Sequence, residues 1–440
     1  MTVQPPSGAA PGSSERSRDR ARPGLWELGR TATWLGLVGF GGGLSVLSLI
    51  HRTAVERRRW LTEREFNNTA TVAQLLPGGA AANALAYVGL RFQGVTGALV
   101  AYLGFSLPGA IAVLTLAWAY VKFGMVPHLE PVLGGFNAAV VGIIVAITLQ
   151  MARSGIARLW QLGVAAGAAL LSLGGGASSG EVALLGVAVG LLLDLGTKRA
   201  RLHRWQNRRE PPPIAMPDEG HRLPHKEPEH PHPPGRERDP RPPMVPGGAT
   251  PLHVVAVVPA LVAGLLMQPL VQLGLVFFLT GLGSYGGGFA IIPHLRNALA
   301  GHGWLTDRQL ADAVAIAKIT PGPVLLVATF VGYLVGRTAG AIVATVAVFA
   351  APFMLVVTLG AWLDRARSRR PVRAALRGLT PAVIGLMVAA ALTLGGTLSS
   401  GTQAGIAAVV ALAMTRFALN PVVVMGLAGL AGFLLRGVGL

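Results

Sequence analysis

Ile319-Thr320-Pro321-Gly322-Pro323-Val324 lies between two long apolar runs, and an earlier stretch, Leu75-Leu76-Pro77-Gly78-Gly79-Ala80, stands in the same setting. Proline removes a backbone donor and fixes φ, while glycine permits turns that other residues resist. In hydrocarbon such a stretch breaks a helix and frees backbone groups, which must then face protein or a wet cavity. A helix broken at membrane depth in both halves of a repeat points to a binding site.

The flanking runs set the class. Of the 440 residues, 52% are hydrophobic and only 13% charged, and mean hydropathy is +0.55. Apolar runs of roughly 17 to 25 residues recur, each able to span about 30 Å of hydrocarbon. The chain reads as an all-α polytopic membrane protein with about 10–13 membrane elements. An outer-membrane barrel needs short alternating strands instead of continuous runs.

Formal net charge is +18, but the basic residues gather in the N-terminal tail and between apolar runs, where the positive-inside rule places them. No nucleic-acid partner is needed to explain them. The chain has no cysteine, which removes disulfides and thiolate metal sites. Residues 1–24 hold Arg16, Arg18, Arg20 and Arg22 among Pro, Gly and Ser. They lack an apolar core with a cleavage site, so they read as a disordered cytoplasmic tail and not as a signal peptide.

Two transporter-like repeats are expected, at 25–197 and 251–440. Gly39-Phe40-Gly41-Gly42-Gly43 pairs with Gly283-Ser284-Tyr285-Gly286-Gly287-Gly288, and Trp60-Leu61-Thr62 with Trp304-Leu305-Thr306. Pro77-Gly78 pairs with Pro321-Gly322, Pro108 with Pro352, and Ala139-Val140-Val141-Gly142 with Ala382-Val383-Ile384-Gly385. Order and spacing are kept throughout, which marks an internal duplication. Between the repeats, residues 198–250 are rich in Pro, charge and His and read as a disordered cytoplasmic linker. Its histidines match no zinc spacing, so no metal site is assigned. Leu252–Met267 is an extra apolar run with no partner in the first half.

An odd number of crossings between equivalent points would invert the second repeat relative to the first, as in many secondary transporters. One loop decides how the elements are counted. Residues 52–64 are Arg-rich, while the equivalent loop 294–312 carries Arg296 and Arg308. If the Gly-Gly-Gly and Pro-Gly elements are re-entrant hairpins, the rich loop lies inside and its poorer twin outside. That reading is preferred over simple spans.

The glycine triplets Gly41-Gly42-Gly43 and Gly286-Gly287-Gly288 suit anion nests of backbone amides near helix ends, or else close helix packing. Their recurrence upstream of each Pro-Gly break favours a site. Lys318, before Thr320-Pro321, is a cation in an apolar element; it either faces an anion or snorkels to the interface. Gln74 aligns with it. The expected substrate-binding set is thus Gly41, Gly42, Gly43, Gln74, Pro77, Gly78, Gly286, Gly287, Gly288, Lys318, Thr320, Pro321, Gly322 and Pro323. Gly281-Leu282-Gly283-Ser284-Tyr285-Gly286 fits a dinucleotide fingerprint, but no strand precedes it. Hydrolase, zincin and P-loop motifs are absent, so the chain reads as no enzyme and needs no cofactor.

Phe40-Gly41-Gly42-Gly43, Trp60-Leu61 and Pro77-Gly78-Gly79, repeated as Tyr285-Gly286-Gly287-Gly288-Phe289, Trp304-Leu305 and Pro321-Gly322-Pro323, resemble the long, duplicated form of the chromate ion transporter family. The chain departs from the pattern in lacking a proline after Gly42, and in placing Gly79 where a second proline is expected and Lys318 where a neutral polar residue is expected. The resemblance implies chemiosmotic export of chromate across the bacterial cytoplasmic membrane, with sulfate as structural analogue. Its partners would be the oxyanion and the lipid bilayer, with room for a homodimer. Transport of sulfate or another oxyanion, and a passive channel or membrane scaffold, remain the alternatives.

Overall fold

The computed structural model describes residues 22–40, 43–123, 130–175, 177–206, 268–366, 369–417 and 419–436. Gly41, Gly42, residues 1–21 of the tail, most of the linker and the run Leu252–Met267 lie outside the described residues. No strand occurs among the described residues.

The first repeat comprises α1 (Leu25–Val38), α2 (Gly43–His51), α3 (Glu63–Leu75), α4 (Ala80–Phe123), α5 (Glu130–Gly155), α6 (Leu159–Leu173) and α7 (Ser179–Gln206). The second comprises α8 (Pro269–Leu282), α9 (Ile292–Gly301), α10 (Asp307–Ile319), α11 (Val327–Ala366), α12 (Arg370–Gly395), α13 (Gly401–Phe417) and α14 (Pro421–Arg436). Seven helices answer seven in the same order. The local signals answer too. Thr62 caps α3 in a reciprocal box with Glu65, and Thr306 caps α10 in the same box with Gln309. Each box satisfies two amide donors that a helix start leaves without partners.

Within each repeat the first four helices form two re-entrant hairpins. Arg58, in the loop after α2, pairs with Glu27 in the first turn of α1 at 2.5 Å. That loop therefore returns to the face where α1 begins. Arg91, near the end of the first arm of α4, pairs with Glu65 at the start of α3, and Gln93 donates to the Pro23 carbonyl at 2.9 Å. So α3 and residues 80–92 also enter and leave by one face, with Pro77-Gly78 at the tip. The helix then breaks at Gln93 and Gly94 (φ 64°), and residues 95–123 cross. In the second repeat the break falls at Gly336 and Arg337 (φ 53°, ψ −143°). Arg337 there holds a conformation that costs a side-chain-bearing residue about 1–3 kcal/mol.

The second repeat is inverted. Asp194, late in α7, meets Arg377 at 3.1 Å and Arg370 at 3.7 Å. Arg308, at the start of α10, meets Glu130 at the start of α5 at 2.6 Å. Hence α12 begins on the face where α1 begins, and α10 begins on the opposite one. The first face carries Arg52, Arg57, Arg58, Arg59, Arg365, Arg370, Arg373 and Arg377, and is called the basic face below. The far face carries Lys122, Arg296, Arg308 and Arg337.

The repeats interlock through their second crossing elements. Helix α5 of the first repeat packs on α13 and α14 of the second, while α12 of the second packs on α6 and α7 of the first. Equivalent glycines make both contacts possible. A Cβ on Gly135 would strike the Ala428 carbonyl, and one on Gly378 the Gly186 carbonyl. Gly142 faces the Ala407 carbonyl as Gly385 faces that of Ala165. Helices associate in lipid by such close approach, because apolar burial alone gives no advantage there.

Among the described residues, five helices are long and apolar enough to cross a membrane: Ala80–Phe123, Glu130–Gly155, Ser179–Gly196, Val324–Ala366 and Arg370–Gly395. Outward residues such as Leu184, Leu192, Val409, Leu412 and Leu427 are exposed, which suits a lipid-facing surface. The chain is a multi-pass membrane protein.

Candidate functional site

The hairpin tips of the two repeats meet each other. Proline at 77 and 321 ends α3 and α10, and Gly78 (φ 108°) and Gly322 (φ 112°) turn the chain where a side chain would be strained. The amide of Gly78 donates to the Ser284 carbonyl at 2.8 Å, and that of Gly322 to the Gly39 carbonyl at 3.3 Å. Each Pro-Gly tip is thereby tied to the glycine break of the opposite repeat. Pro352 fills the space beside Gly78, and the Pro321 carbonyl lies where a Cβ on Gly109 would stand.

Gly79 occupies the position where the second repeat has Pro323. A Cβ built on Gly79 would lie 3.0 Å from Cβ of Pro323. A proline ring at position 79 would therefore crowd that of Pro323 at this crossing.

Carbonyls freed by the first break are satisfied by Asn83, which is fully buried. Its Nδ2 donates to the carbonyl of Pro77 at 2.9 Å, with Ala73 and Leu76 at 3.3 and 3.4 Å. At the second break, Thr320 gives its hydroxyl to the carbonyls of Ala317 and Ile316. That hydroxyl proton is already committed within α10.

Among the described residues, Asp312 and Lys318 are the charged side chains that are buried, and both lie on α10. The Lys318 ammonium sits over the Phe289 ring, 5.0 Å from its centroid, and no described carboxylate forms an ion pair with it. It lies beside the tip and does not reach out to the interface. Gln74, aligned with it in sequence, is exposed, and its amide donates to the Ala70 carbonyl at 3.2 Å. The structure does not bring Gln74 to the crossing.

Gly286–Ile291 form a 3-10 turn. Gly288 (φ 93°) packs against Val324 and Leu325, and its amide bonds the Tyr285 carbonyl at 3.2 Å. Gly43 opens α2, and Gly41 and Gly42 fall outside the described residues. The second-repeat tip, Pro321 to Pro323, is partly accessible, whereas Pro77, Gly78 and Gly79 are buried. The crossing thus offers a cation, helix N-termini whose first-turn amides have no intrahelical acceptor, and one accessible tip. That donor set suits an anion.

Asp312 was not among the expected site residues. It sits in the apolar stretch Leu310–Ile316, and an acid in such a stretch is itself a signal. Its carboxylate accepts from Tyr120 at 3.0 Å and Asn137 at 2.9 Å. Asp312 and Asn137 line a cavity of about 520 Å³ between α5, α10, the start of α13 with the turn before it, and α14.

A duplicated, inverted helical membrane protein whose broken helices cross one another belongs to the class of membrane transporters. Within that class the chain belongs to the chromate transporter family, whose model matches residues 26–193 and 271–433. It is 30% identical over 395 residues to the chromate transport protein of Cupriavidus metallidurans, covering 89% of this chain and 87% of that one. It is 28% identical to the chromate transport protein of Pseudomonas aeruginosa over 91% and 89% of the two chains. An uncharacterized transporter of Methanocaldococcus jannaschii is 23% identical over 96% and 97%. No solved structure matches the chain.

Proposed function

We propose that the protein is a secondary transporter that exports chromate across the bacterial cytoplasmic membrane, driven by membrane potential or an ion gradient. The observation that carries this reading is Lys318, a buried ammonium with no described carboxylate partner beside the crossed Pro-Gly tips. A buried unpaired cation is costly in a membrane, and an anionic substrate offsets that cost. Chromate, a tetrahedral dianion, can take the ammonium and first-turn amides together. The Arg-rich basic face is the cytoplasmic one by the positive-inside rule. An inside-negative potential then favours outward movement of a dianion by about 4.6 kcal/mol at 100 mV if both charges cross uncompensated.

The same donors suit sulfate, another tetrahedral dianion, so competition is part of the test. Cells expressing the wild type should accumulate less chromate than controls, and Lys318→Gln and Gly322→Leu should abolish the difference. Unchanged accumulation with well-expressed wild type would remove chromate as the cargo. Saturable flux that excess sulfate reduces supports a transporter; flux linear in concentration supports a pore.

A further inference from the structure

The two repeats are not packed alike at their gates. On the far face, α10 packs on α5 of the opposite repeat; on the basic face, the equivalent α3 makes no comparable packing with α12. The far-face contact is built from Asp312 with Tyr120 and Asn137, capped by the Arg308–Glu130 pair. Asp312 is 1% exposed. At the equivalent positions of the other repeat stand Asn68, which is half-buried, and Asp364 in place of Tyr120. The repeat symmetry is therefore broken at this carboxylate.

We propose that Asp312 is a proton-binding site through which the far-face compartment opens and closes the gate between α10 and helices α4 and α5. This rests on the transporter reading for its consequence in flux, but not for the gate itself. The ionised carboxylate accepts from both Tyr120 and Asn137 and draws α10 to the first repeat. Charge-assisted bonds of this kind are roughly twice as strong as neutral ones. Protonation removes the charge, and the new carboxyl hydrogen turns to a side-chain oxygen of Tyr120 or Asn137, so the contacts that remain are neutral and about half as strong. The hairpin of α10 and the first arm of α11 is then released.

The cavity of about 520 Å³, lined by Glu130 and Arg308 as well as by Asp312, lies between the far face and this group. The charged and titratable groups around Asp312 are Tyr120 from α4, Glu130 from α5, and Asp307 and Arg308 from α10 itself, with Lys318 two turns further along. The α12–α13 turn, α13 and α14 present only uncharged lining residues to the cavity. Lys318 stands six positions beyond Asp312, about 9 Å along the helix, so movement of α10 displaces the substrate tip as well.

The chain has no cysteine, so one introduced at the cavity wall is a clean reporter. Ile406→Cys, on α13, would be labelled with a membrane-impermeant maleimide from the far face, using full-length protein in vesicles, in the wild-type and Asp312→Asn backgrounds. The Asn background supplies the pH response of the thiol alone. Labelling relative to that background should fall by on the order of tenfold as pH rises through the titration of Asp312, and Asp312→Glu should keep a pH response.

A wild-type ratio that stays flat with pH overturns the proposal. So does an Asp312→Glu variant that labels like Asp312→Asn at every pH. Labelling needs no substrate, so it reads the gate even if chromate proves not to be the cargo. Chromate counterflow at zero potential then tests the consequence: it should depend on far-face pH in wild type and not in Asp312→Asn. A pH-dependent counterflow that survives in Asp312→Asn would also overturn the proposal.

Discussion

The Gly78 amide donates to the Ser284 carbonyl at 2.8 Å across the boundary between the two repeats. Its counterpart, Gly322 to Gly39 at 3.3 Å, runs the other way. The crossed pair fastens each hairpin tip to the glycine break of the opposite repeat, so neither tip has its working geometry without the other repeat.

Gly322→Ala and Gly78→Ala are expected to impair transport far more than alanine at Gly163, which has open space around it. At φ of 112° and 108° a side chain costs more than about 1 kcal/mol, and Pro352 crowds position 78 as well. Chromate accumulation, normalised to membrane-inserted protein, checks this.

Lys318→Gln should weaken chromate binding by roughly 10- to 150-fold, the loss of one charge-assisted hydrogen bond of about 1.5–3 kcal/mol. Lys318→Arg keeps the charge but crowds the Phe289 contact, and should fall between the two. Titration of purified protein with chromate measures both.

The close approach of Gly79 to Pro323 predicts a coupled pair. Gly79→Pro alone should lower Tm, and Pro323→Gly should recover part of the loss, with a coupling energy of about 0.5–3 kcal/mol. Additive effects in the double-mutant cycle would show that the two positions do not compete for space.

Because α5 and α12 find their partners in the opposite repeat, Gly135→Leu and Gly378→Leu should each destabilise the whole molecule by about 1–3 kcal/mol or more. A first repeat expressed alone should be unstable in the membrane and be rescued by co-expression of the second. Co-purification of the two pieces is the readout.

The Arg296 guanidinium, hydrogen-bonded to Asp307 at 2.5–2.7 Å, holds that carboxyl below the usual carboxylate range. A lowered folded-state value means that the pair stabilises fully above the ordinary carboxylate pKa and loses its effect as pH falls through the lowered one. The Tm difference between wild type and Asp307→Asn should therefore be flat from about pH 5 to 8 and shrink below about pH 4. Both groups are half-exposed, so the effect should stay within about 1 kcal/mol.

Much of the fold was legible because its signals are local. The paired motifs and matched threonine caps fix the duplication, and the arginine asymmetry of loops 52–64 and 294–312 pointed to re-entrant hairpins. The ion pairs Arg58–Glu27 and Arg91–Glu65 bear that reading out. Gln74 shows the limit. It aligns with Lys318, yet Gln74 is exposed while Lys318 is buried over the Phe289 ring, a contact that no local pattern encodes.

The sequence by itself determined the membrane class, the two repeats and the places where helices break, since length, hydropathy and Pro-Gly chemistry act within a few turns of chain. Only the tertiary structure decided which tip meets which glycine break, that Gly79 stands against Pro323, and that Asp312 is held by Tyr120 and Asn137 of the other repeat. Those facts depend on contacts between residues well over a hundred positions apart, where two copies of nearly one pattern pack against each other and cannot both keep every side chain.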